Sequence, residues 1–124
     1  MENMEVSKRL ENSSLVEKIV EILKDKKARD IDVINISNVT ILADYFILCS
    51  GTSTIHIRSM ADELKLKLEE QGIPVHHVEG YGSARWILMD YGNVVVHIFH
   101  EEERQFYNLE RLWSDGEILS LSNG

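Results

Sequence analysis

Apolar side chains recur at three- and four-residue intervals from Leu15 to Leu23, through Val16, Ile19 and Val20. That spacing predicts a helix with one buried stripe. Ser13 or Ser14 can cap its start, with Glu17 completing a capping box after Ser14. Lysines suit its end around Asp25-Lys26-Lys27. Ile31 to Ile36 is rich in β-branched residues and reads as a strand. Asp44 to Ser50 is a second strand, so continuously apolar that both of its sides should be buried. Gly51 breaks it, and Ser53 caps a helix predicted from about Thr54 to Gln71, with Gly72 and Pro74 beyond its end. The inner stripe of that helix should be Ile57, Met60, Ala61, Leu64 and Leu68. Val75 to Val78 is a short third strand.

The next stretch, Trp86 to Phe99, reads as a hairpin folded at Tyr91-Gly92-Asn93-Val94, where Gly92 and Asn93 tolerate positive φ. That fold pairs Trp86 with Phe99, Ile87 with Ile98, Leu88 with His97, Met89 with Val96 and Asp90 with Val95. Opposed residues share a face. One face is then aliphatic, and the other carries Trp86, Leu88, Asp90, His97 and Phe99. Glu101 to Trp113 should be the last helix, with three acids in its first turn and Phe106, Leu109, Leu112 and Trp113 on its apolar side. The order is helix, two strands, helix, three strands, helix. It predicts an α/β domain over residues 13–113, with a mixed five-stranded sheet and helices mainly on one face. Residues 1–12 read as a flexible lead-in and 114–124 as a flexible tail. Three helices cannot readily cover both faces of such a sheet, so part of the Trp86 face should stay open. Its mix of aromatic anchor and polar groups suits protein binding.

Composition narrows the classes. The 124 residues are enough for one ordinary core. A formal charge of −8 argues against broad contact with phosphate backbones and permits a basic protein partner. The single cysteine, Cys49, excludes an internal disulfide and suits a reducing compartment. Its apolar surroundings predict a buried, inert thiol. No apolar run approaches the length of about 20 residues that spans a membrane. The acidic N-terminal segment fits neither a secretory signal nor a transit peptide. These features point to the cytosol.

Catalytic and metal patterns are weak. No two of the five histidines have the i,i+4 helical or i,i+2 strand spacing of a metal site. Asp30-Ile31-Asp32 places two carboxylates on one strand face, and Gly51-Thr52-Ser53 before a helix could receive a phosphate. Together they hint at nucleotidyl transfer. In that chemistry, however, the Asp-x-Asp element would follow the Gly-Ser turn, and here it precedes it. No Walker lysine or nucleophile elbow occurs. Turn plus N-cap is the simpler reading of Gly51-Thr52-Ser53. Glu101-Glu102-Glu103 reads as a solvated helix start, and Asp90 reads equally as a turn residue. No catalytic residue, metal or cofactor is expected.

An ordered set of segments resembles the ribosomal silencing factor, or Iojap-like, family. It runs through Ile34-Asn35-Ile36-Ser37, Ala43 to Ser53, Glu79-Gly80, Trp86 to Gly92, Val95 to Phe99 and Arg104 to Trp113. Each piece is unspecific alone; the order is specific. The resemblance implies a fold similar to the nucleotidyltransferase core without its catalytic carboxylates. It implies binding to the large ribosomal subunit through a basic ribosomal protein on the intersubunit face, number fourteen of the large-subunit series. Such binding blocks joining to the small subunit and represses translation under nutrient limitation. Organellar relatives act in large-subunit assembly, so an assembly role is the alternative, with nucleotidyl transfer a distant third. The expected partner-binding residues are Tyr81, Trp86, Leu88, Asp90, His97 and Phe99. Asn93 departs from the acidic residue common after the hairpin glycine, yet still suits the turn. No membrane contact or sequence-specific nucleic-acid binding is expected, and an exposed aromatic patch permits homodimerisation.

Overall fold

The computed structural model describes the backbone of residues 2–107 and 117–119, and the side chains of residues 13–104. Its elements are α1 (Glu2–Asp25), β1 (Arg29–Asn35), β2 (Tyr45–Gly51), α2 (Thr54–Glu70), β3 (His77–Glu79), β4 (Trp86–Asp90), β5 (Val94–His100), α3 (Glu101–Tyr107) and β6 (Glu117–Leu119). The strands form one mixed sheet in the order β3-β4-β5-β2-β1-β6. β2 and β5 are parallel at its centre, and the other neighbours are antiparallel. The five predicted strands are present, and the hairpin has the predicted register from Trp86–Phe99 to Asp90–Val95. The backbone of Tyr91 donates to the Val94 carbonyl at 2.9 Å to close the turn.

Two expectations at the ends are corrected. Residues 2–12 are not a separate lead-in but the first turns of α1. They contain Glu, Met, Lys, Arg and Leu and no Gly or Pro, so nothing stops the helix from continuing past Ser13 and Ser14. Within the supposed tail, Glu117–Leu119 pairs antiparallel with β1 as a sixth strand. The predicted helical stretch from Asn108 to Trp113, with Leu109, Leu112 and Trp113, lies outside the described residues, as does the side chain of Phe106.

The main core lies between the sheet and the two longer helices. Val16, Ile19, Val20 and Leu23 of α1 and Ile57, Met60, Ala61, Leu64 and Leu68 of α2 pack on Ile31, Val33, Ile47, Cys49, Ile87, Met89, Val94, Val96 and Ile98. The α2 stripe is the predicted one, residue for residue. Both helices end in the same way. At Lys27 (φ 61°) and at Gly72 (φ 78°) the chain turns left-handed, and backbone bonds from Ala28 to Leu23 and from Ile73 to Leu68 take up the last carbonyls. His56 ties the helices together. Its Nδ1 accepts from the Thr52 backbone at 3.1 Å, so its Nε2 carries the proton and donates to the Lys26 carbonyl at 2.7 Å.

Candidate protein-binding face

The other side of the sheet carries a smaller cluster, formed by Ile34, Ile36, Ala43, Leu48 and Phe99. Phe46, Trp86 and Val95 pack against it and stay partly exposed. Alternation along β4 and β5 places Trp86, Leu88 and Asp90 on this side, opposite Phe99, His97 and Val95. Aromatic rings run diagonally across it. Trp86 lies 5.0 Å from Phe99, His97 stacks on Phe99 at 6.1 Å, and Phe46 meets His97 at 4.6 Å, centroid to centroid. The Trp86 indole N–H donates to His97 Nδ1 at 3.1 Å. That bond orients the indole and leaves the imidazole proton on Nε2, which is buried without a partner among the described residues. Burial pushes His97 down to about 4, so the ring is neutral at physiological pH. Gly80 lets the preceding loop lie on β4: with φ 80°, a Cβ there would stand 2.1 Å from the Trp86 carbonyl oxygen.

The structure brings together five of the six expected residues, but not as one open patch. Trp86, Leu88 and Asp90 are half-buried, whereas Phe99 and His97 are closed off at 1% and 4% exposure. The reason is tertiary. Ile36 and Ala43, from the β1–β2 connection, join the cluster at one end, and α3 packs on β5 and β2. Asp90 has a turn role, because its carboxylate accepts the Gly92 N–H at 2.7 Å. Tyr81 lies apart from this face, on the α2 side. Its hydroxyl donates to Asp62 at 3.2 Å, its ring meets the Arg58 guanidinium, and Arg58 donates to its carbonyl at 3.1 Å.

One surface feature escaped the sequence reading. Val39, Ile41 and Leu42 are exposed, Ile41 fully at 101% and Leu42 at 84%. The signal in the sequence is three aliphatics, Val39 and the adjacent pair Ile41-Leu42, inside a connection that otherwise begins with polar residues, Ser37-Asn38-Val39-Thr40-Ile41-Leu42.

The features weighed as catalytic have structural duties. Ser53 caps α2, accepting from the His56 backbone at 3.0 Å. Gly51 is packed so closely that a Cβ would lie 2.7 Å from Ile57. Asp30 and Asp32 do not alternate simply, because a bulge separates Arg29 from Asp32 and Asp30 takes φ 51°. Arg104 of α3 enters here. It donates to the Asp32 carboxylate at 2.6 Å, to Ser50 Oγ at 3.3 Å and to the Asp30 carbonyl. A guanidinium therefore stands beside the carboxylate that metal chemistry would need. Cys49 is buried, and burial raises its thiol to about 12 against the opposing pull of Arg104. Among the described residues no three His, Cys, Asp or Glu side chains gather into a metal site. No helix among them is long and apolar enough to cross a membrane.

Comparison with known proteins gives a consistent result. The family model described as "Ribosomal silencing factor during starvation" matches residues 9–123. The chain is 42% identical over 112 residues to the ribosomal silencing factor RsfS of Halalkalibacterium halodurans, covering 90% of this chain and 96% of that one. It is 33% identical over 102 residues to the mouse (Mus musculus) protein named mitochondrial assembly of ribosomal large subunit protein 1, covering 80% of this chain and 45% of that protein. A crystal structure from Bacillus halodurans superposes with a TM-score of 0.79 at 40% identity, covering 88% of this chain and 99% of the other.

Proposed function

Because this chain belongs to the ribosomal silencing factor family, we propose that it binds the large ribosomal subunit through a basic protein on the intersubunit face and excludes the small subunit by bulk alone. No chemical step is involved. The observation that carries this reading is the second face of the sheet. There a large aromatic, Trp86, is partly exposed on the hairpin and held in one orientation by His97. A fixed indole loses little freedom on binding, which is what an anchor requires. A specific interface needs about 800 Å² per partner, so the rim around Trp86 contributes to it as well. Exclusion then follows mass action: the fraction of large subunits unable to pair rises with factor concentration over Kd. Asp30 and Asp32 have no part in this reading, and neither has a divalent ion.

The test is co-sedimentation with purified mature large subunits, with and without small subunits. The protein should pellet with the large subunit and lower the yield of joined ribosomes. Trp86→Ala should weaken binding by about thirtyfold, the equivalent of about 2 kcal/mol for a truncated central Trp. Because Trp86 also packs on the second cluster, melting temperature is measured in parallel and binding is compared well below the transition. A folded Trp86→Ala protein that binds as the wild type does would remove Trp86 from the interface. Wild-type protein that binds only immature particles would move the reading to subunit assembly.

A further inference from the structure

We propose that Ile41 and Leu42 form a second anchor of the same interface, seated in an aliphatic recess of the large-subunit protein that Trp86 contacts. This rests on the function proposed above. Ile41 is wholly exposed and Leu42 nearly so, in adjacent positions, with Val39 beside them. Single exposed aliphatics are ordinary, but neighbouring ones on a fixed support mark contact surfaces.

The support is fixed by hydrogen bonds. The amides of Val39 and Thr40 donate to the Ile36 carbonyl at 2.9 and 3.0 Å, and the Leu42 amide to Thr40 Oγ1 at 3.1 Å. The Ser37 amide and hydroxyl both donate to Asn35 Oδ1, at 3.0 and 2.7 Å. The Ile36 amide donates to the Asp44 carbonyl at 2.8 Å, pinning the two ends of the connection together. The amides of Asp44 and Tyr45 reach the Asn93 carbonyl at 2.8 and 3.0 Å, which ties the connection to the hairpin turn. The two aliphatics are therefore presented, not merely left outside.

Continuity with the Trp86 face names the occupant. Ile36 and Ala43 flank the exposed run, and both belong to the cluster on which Trp86 packs. Trp86 lies at the far end of β4 from the hairpin turn, and at about 3.3 Å per residue the strand separates it from Asp90 by about 13 Å. One partner surface of ordinary interface size can cover both ends.

The test uses the paired variants Ile41→Asp with Leu42→Asp, and Ile41→Ser with Leu42→Ser, in the full chain. Melting temperature, solution mass and co-sedimentation with purified large subunits are measured for each. Aspartates add attraction toward a basic partner, so a loss of binding by that variant cannot come from charge. Both variants should melt like the wild type, keep its solution mass and bind at least tenfold more weakly. Binding within twofold of a wild type that does bind would overturn the second anchor and leave the proposed function standing. A wild type that fails to bind large subunits would overturn both. A changed solution mass would make the pair a contact between copies of this chain, and a much lower melting temperature would make it part of the core; either result overturns the proposal.

Discussion

His97 is a titratable side chain enclosed by three aromatic rings, with one nitrogen committed to the Trp86 indole and the other without a partner among the described residues. Its protonation has a cost that stability should report. The folded value is about 4, against an ordinary value of 6.5. The unfolded chain therefore binds the proton first as pH falls. The stability supplied by neutral His97 is complete above about pH 6.5, declines by about 1.4 kcal/mol per pH unit down to about pH 4, and is flat below that. Urea unfolding of the wild type and of His97→Asn, which cannot titrate and keeps an acceptor for Trp86, isolates the effect. The difference between the two should shrink by about 2 kcal/mol from pH 7 to pH 5. A difference independent of pH would mean that the folded protein admits a charged His97. The strand period placed His97, Phe99, Leu88 and Trp86 on one face correctly. How much of that face is open could not be read from the strands, because Ile36 and Ala43 close it from a connection with no period of its own. Tyr81 stands apart from that face for a related reason: an arginine one turn into α2 draws its loop toward the helices.

Local period served best where an element buries a single stripe. All five buried positions of α2 were legible, as were its Ser53 cap and its glycine end, because helix, cap and stop signals agree there. Where signals compete, boundaries fail. Ser13 and Ser14 look like caps but are interior to α1, since helix-forming residues continue on their N-terminal side. The Asp30 bulge was invisible, because a bulge depends on the partner strand as well as its own sequence. Its consequence is that the two aspartates differ. Asp32 gives Arg104 a carboxylate at 2.6 Å, with the Arg104 side chain 11% and that of Asp32 33% exposed, while Asp30 is bonded to Arg104 through its backbone carbonyl. Asp32→Asn should lower stability by about 1.5–3 kcal/mol, the worth of a charge-assisted bond in a partly shielded pair. Asp30→Asn should change it by less than about 0.5 kcal/mol. Neither should alter large-subunit binding by more than about threefold where the protein is folded, since this tether docks α3 and offers no ligand to a metal. Thermal melts separate the two mutants; equal effects would mean that the Asp30 side chain also holds the bulge.

At the scale of the whole molecule the quantity that matters is the formal charge of −8. Six exposed large hydrophobics occur among the described residues: Val39, Ile41 and Leu42 lie in the β1–β2 connection, and Ile55, Leu66 and Tyr81 line a separate surface pocket against α2. Charge and apolar surface then divide the work of association. A field from many acids acts at a distance and raises the encounter rate with a basic partner, whereas buried anchors set how long the complex lasts. The two contributions respond differently to salt. Steering decays over the Debye length, about 30 Å at 0.01 M, 10 Å at 0.1 M and 3 Å at 1 M. Apolar burial is not screened. On-rates for large subunits should accordingly fall by at least about tenfold between 0.05 M and 0.5 M monovalent salt at constant Mg²⁺, while off-rates change little. Stopped-flow or interferometry with immobilised factor reads both rates directly. Trp86→Ala supplies the complementary case: its off-rate should rise while its salt slope matches the wild type. Flat wild-type on-rates would mean that the negative charge serves solubility alone and that the partner's contact surface is not basic.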